Sequence, residues 1–247
     1  MSDERDRQSG HKSERWHPLR AALDTALSVQ IGAVEKQIAR ARQRNPDASP
    51  ADVVRTLEGM YRAALTGTGA AVGAAAAAPG TGVAIAMSGG EMLTTLELSA
   101  LFALSVAEVH GVRVDELERR RALVLGIMLG GSGSGSATTG KIAERTGNHW
   151  AKLIIESVPV TTLRQINHVL GRNFVTKYGT KQGIVVLGKV VPFGVGAAIG
   201  GGANLALAEG SIRSARRAFG PAPRAWPAPA SRDFRGADER SEKGMEL

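Results

Sequence analysis

The stretch GSATTGKI, Gly135 to Ile142, comes within one residue of the phosphate-binding pattern G-x-x-x-x-G-K-[ST]. Gly135, Gly140 and Lys141 stand where a phosphate cradle needs them, but Ile142 replaces the hydroxyl that would ligate Mg²⁺. A working loop also follows a buried strand and has a second metal contact from an aspartate ending a later strand. Upstream here is ALVLGIML, an apolar run that continues a capped helix, and the later runs KLIIES and GIVVLGKV end in no aspartate. The pattern therefore reads as a flexible Gly/Ser loop over residues 130–140, with no metal seat.

Other chemistry-bearing residues are sparse. His110, His149 and His168 show neither H-E-x-x-H nor H-x-x-x-H spacing, and there is no cysteine, so neither a metal centre nor a thiol nucleophile is expected. No cofactor is implied. A polar set of Glu91, Glu97, Asn204 and Glu209 could line a crevice between helices and act as acid or base, although no partner nucleophile lies nearby in sequence. Glu97 and Glu108 are eleven residues apart, about three helical turns, and so share one stripe. In lipid, each such carboxylate would cost on the order of 3 kcal/mol unless paired or protonated. The plainer reading of these glutamates is the solvated face of a surface helix.

Charge points to anionic partners. The net charge is +8, and residues 21–219 carry 21 Lys/Arg against 14 Asp/Glu, whereas both ends are nearly balanced. Such a body attracts nucleic acid or an anionic membrane face. Nucleic acid is not expected, because stacking aromatics, zinc knuckles and a helix-turn-helix are all missing. Arg119, Arg120 and Arg121 precede ALVLGIML, and Arg213, Arg216 and Arg217 follow a long apolar stretch. Both sets suit lipid headgroups. Glu209 and Arg213, four apart, are placed to pair.

The elements that must position these groups are helical almost throughout. Residues 1–20 and 220–247 read as disordered tails, the second because of its repeated prolines, and the first contains no apolar run of the kind a secretory signal needs. Between them lies a single domain, 21–219. A helix over 22–44 ends before NPDASP. Ser49 then caps a second helix with Pro50 at its first position, running to about Leu65. Residues 63–90 hold no charge, with eleven alanines and seven glycines, and Pro79-Gly80 divides them into a hairpin. Gly69-x-x-x-Gly73 offers a small packing surface there, as does Gly196-x-x-x-Gly200 in the uncharged run 190–208. Further helices are predicted over 91–111 with a glycine stop, from an Asp115-x-x-Glu118 capping box through ERRRALVLGIML, over 141–158, from a Thr162-x-x-Gln165 box to Gly171, and over 183–219. Pro79 precedes Glu91 by the same twelve residues that separate Pro192 from Asn204, which suggests two glycine-rich helices packed on each other.

From Gly67 onward the order of features resembles the EcsC family, bacterial proteins named for a member encoded beside an ABC transporter. The resemblance rests on PGTG (79–82), AEVHGV (107–112), KYGTKQG (177–183) and VVPFGVGAAIGGGANLALAEGSIRSARRAFG (190–220). It leaves out both tails and the Gly/Ser loop. It implies a helical, membrane-associated accessory protein. With the helices and charges read above, the expectation is an all-α, compact, Gly/Ala-rich bundle with two long apolar hairpin segments, on the cytoplasmic face of a membrane, peripheral or partly inserted, with an anionic surface and a transporter as partners. It carries over no catalytic residue. The rival readings are an enzyme built on the polar set, and a soluble module that forms homo-oligomers through its glycine faces.

Overall fold

The computed structural model describes residues 24–27, 31–43, 45–76, 82–130, 149–188 and 195–227. After a helical turn at 24–27 come α1 (Ile31–Gln43), α2 (Pro50–Ala76), α3 (Gly82–Val109), α4 (Leu117–Gly130), α5 (Trp150–Ser157), α6 (Val160–Gly188) and α7 (Val195–Phe219). Among the described residues all regular structure is helical, with no strand, as the all-α expectation requires. GSATTGKI, the Pro79-Gly80 break, the tail 1–20 and most of the 130–140 loop lie outside the described residues. So does Pro192.

Local chemistry sets several helix ends. The Ser49 hydroxyl donates to Asp52 at 2.6 Å and accepts from the Asp52 N–H, while the Asp52 carboxylate accepts the Ser49 N–H at 3.1 Å. This reciprocal cap opens α2. With no breaker before Pro79, α2 continues past Leu65 to Ala76. α3 ends in a Schellman motif: Val112 N–H reaches Ala107 O, Gly111 N–H reaches Glu108 O, and Gly111 takes φ +72°. α7 stops similarly at Gly220, φ +74°, whose N–H bonds Arg216 O.

Two other predicted starts are corrected. Glu116 O, accepting from Arg119 and Arg120 N–H, begins α4, and Glu118 turns its carboxylate to Arg121 and Asn167 instead of closing a box with Asp115. α6 starts straight after Pro159, whose carbonyl accepts from Leu163 N–H, not at Thr162, which is exposed. It also runs through Gly171, because one helical glycine costs only about 1 kcal/mol and packing outweighs that.

α4 is the centre of the bundle. Every residue from 120 to 129 is buried, so the helix is covered on all sides by α3, α5, α6 and α7. The expected amphipathic helix with leucines dipping into lipid is thus a core helix. Trp150 of α5 closes on it over Gly126, where an added Cβ would meet the indole at 2.7 Å. Tyr61 of α2 stacks flat on Phe102 of α3, with centroids 4.4 Å apart, and its hydroxyl meets Ser99 at 2.8 Å. Among the described residues α7 lies chiefly along α2, and most side chains of the two glycine-rich stretches suggested to pack on each other lie outside them. The proline-rich end is not free from residue 220. Trp226 donates to Ala48 O at 3.2 Å beneath the Arg42 guanidinium, which fastens residues 220–227 to the body.

Candidate functional site

The α2–α7 seam is a graded ladder. Arg216 holds both carboxylate oxygens of Glu58, and Arg62 donates to Glu209 at 2.5 Å. Asn204 Nδ2 donates to Leu65 O at 3.1 Å, and Gly201 lies over Thr66 and Ala70. Partner numbers rise on α2 as they fall on α7, so the helices are antiparallel, and the seam passes from ion pairs to an amide to small apolar contacts. The Arg62 hydrogen bond holds the Glu209 carboxyl below its ordinary 4.5, with further help from the charges of Arg62, Arg213 and Arg216.

Past the Arg62–Glu209 pair, α2 from residue 63 and α7 back from residue 208 carry no charge. Tyr61 touches Ser99 and Phe102, and the six residue steps from Ala76 to Gly82 span at most about 22 Å, so α3 runs back antiparallel to α2 and its uncharged start, residues 82–90, lies toward the same end. At 1.5 Å per residue the uncharged part of α2 extends about 20 Å beyond Arg62. Its polar groups are satisfied within the protein: Thr66 and Thr68 hydroxyls return to Arg62 O and Leu65 O, and Asn204 also serves Leu65 O. Gly69 is buried in this region, and a Cβ added at Gly201 would meet Ala70 and Thr66 at 3.6 Å, an ordinary contact. The surroundings of Gly73, Gly196 and Gly200 lie outside the described residues. Among those residues no helix is long and apolar enough to cross a membrane.

The arginines predicted at a membrane surface divide. Arg120 and Arg121 are 7% exposed. Arg121 pairs with Asp24 and Glu118, and Arg120 donates to Val114 O and Leu27 O. Arg119 bonds Glu116 and the carbonyls of Ile154 and Ile155 at the end of α5. Their placement is inside the bundle because α4 is central, which removes them as a headgroup patch. Arg213 is exposed, Arg216 serves Glu58, and exposed Arg217 donates to Gly130 O.

The three described members of the polar set do not converge. Asn204 and Glu209 are taken up by α2, and Glu97 stands half-buried on α3 with no bond to either. The Glu91 side chain lies outside the described residues. Among the described residues no three His, Asp or Glu gather as metal ligands. His110 donates through Nδ1 to Val106 O at 2.8 Å, and its ring stacks on Phe219.

A cleft of about 70 Å³ that the sequence did not reveal opens between α1, the end of α3 and the α3–α4 turn, with Arg120 in its wall. Its parts come from four elements, and no local spacing announces it. No known family model matches the chain, and neither a curated protein nor a solved structure does.

Proposed function

We propose that the chain is a non-catalytic helical accessory protein of the EcsC type, seated by its uncharged end in the cytoplasmic face of a membrane and supporting a transporter or envelope process. The observation that carries this reading is the seam's polarity: past Arg62–Glu209 neither α2 (residues 63–76) nor α7 (residues 195–208) carries a charge, and α3 carries none before Glu91. The uncharged lengths, about 20 Å on α2 and α7 and about 13 Å on α3, are comparable to one leaflet of a hydrocarbon core roughly 30 Å thick and fall short of the whole. The two long apolar stretches of the sequence, 63–90 and 190–208, fit this seating as hairpin segments. Exposed Arg213 and Arg217, on the charged side of the seam, suit anionic headgroups.

Membrane fractionation with an alkaline carbonate wash tests the reading. Recovery in the membrane fraction before the wash supports it, and retention after the wash indicates inserted hairpins. A chain wholly in the soluble fraction of unwashed lysate contradicts it and favours the soluble, self-associating module.

A further inference from the structure

Arg120 is the one buried cation on α4 without a carboxylate. Arg121 beside it has Asp24 and Glu118, whereas Arg120 has only two backbone carbonyls, Val114 O at 2.6 Å and Leu27 O at 3.4 Å. Burying a guanidinium costs several kcal/mol unless its charge is met. Nε and Nη1 are committed, while Nη2 has no acceptor among the described residues. Arg120 is more than nine-tenths buried and lines the cleft. Val34 and Leu104 form an apolar wall, and Glu35, Glu108 and Asp115, all exposed, line the same opening together with Arg113.

We propose that this cleft binds a small zwitterion, a free α-amino acid of glycine or alanine size. The ligand carboxylate meets the uncommitted edge of Arg120, where a guanidinium offers parallel N–H donors. Its ammonium lies toward Glu35, Glu108 and Asp115. A bare cation is disfavoured by Arg120, and a simple anion by three carboxylates against two arginines; a zwitterion satisfies both. The size agrees, since the space is about half of a ~150 Å³ cavity that takes benzene. The cleft lies at the opposite end of α3 from its uncharged start, so this proposal does not rest on membrane seating.

Isothermal titration of the full chain with glycine and L-alanine, with acetate and methylammonium as controls, tests it. The expected result is saturable millimolar or tighter binding of an amino acid, at least about tenfold stronger than either control. Arg120→Met abolishes this binding. Because a buried arginine also supports the fold, the exposed Glu35→Gln/Glu108→Gln double variant is the second arm, with binding weakened severalfold and helicity unchanged. No saturable binding of either amino acid overturns the proposal, as does acetate binding equal to glycine, or a double variant that binds as the parent does.

Discussion

Arg216 of α7 grips Glu58 of α2 through both carboxylate oxygens, Nε to Oε1 at 2.7 Å and Nη2 to Oε2 at 2.6 Å. The two side chains differ sharply in setting, with 5% of Glu58 exposed against 61% of Arg216. The arginine therefore acts as a lid on a buried carboxylate. Arg216→Met leaves that carboxylate without its donors and should cost about 1–3 kcal/mol. Glu58→Gln, which removes the charge and keeps an acceptor, should cost less. Chemical denaturation of the two variants checks the order, and equal losses would mean that the pair is not the seam's anchor.

Stability should fall at both extremes of pH, by different groups. The Ser49 hydroxyl, with the Ser49 N–H and Arg55, holds Asp52 below its ordinary 3.8, and Arg62 holds Glu209 below 4.5. A lowered carboxyl stabilises the fold above the unfolded value and loses that contribution as pH drops through the folded one. Asp52→Asn and Glu209→Gln should each flatten the acid limb. Burial raises the Tyr61 phenol above 10.0, so its contribution is complete below pH 10.0 and lost as pH rises further. Tyr61→Phe should flatten the alkaline limb alone. Denaturation midpoints measured across pH, with these variants, provide the check.

Glycines at two helix contacts should behave oppositely. A Cβ at Gly126 would sit 2.7 Å from Trp150, so Gly126→Ala should cost about 1–3 kcal/mol and shift the tryptophan fluorescence. A Cβ at Gly201 would meet Ala70 and Thr66 at 3.6 Å, so Gly201→Ala should be neutral or stabilising by up to about 1 kcal/mol. Thermal melts of both variants test whether the closest backbone approach lies on α4 or on the α2–α7 seam.

The features readable in sequence were those decided within a turn or two of chain. Ser49 with Asp52, and the glycine stop at Gly111, are local contests between side chain and backbone, and the fold keeps them. The features that sequence did not disclose depend on which helix lies alongside. Glu209 had Arg213 one turn away, yet it takes Arg62, 147 residues distant, because α7 docks on α2. Arg119–Arg121 beside ALVLGIML suit lipid headgroups in sequence, but α4 is enclosed, so the same residues bond inward. Thr162 carries a good capping pattern that Pro159 pre-empts by starting the helix earlier. The Arg120 cleft was hidden for the same reason: Glu35, Glu108 and Asp115 are brought to it by packing alone.

The central claim is that the uncharged end of the α2–α7 seam enters lipid. Flotation of the full chain with vesicles containing anionic lipid tests it most directly, alongside Leu205→Glu, an exposed position on that end of α7 at 38% exposure. The account predicts that the parent floats with the vesicles and that the variant, unchanged in helicity, loses on the order of tenfold or more in binding through the cost of a charge in lipid. A parent chain that stays with the soluble fraction, or a variant that floats equally well, would contradict it.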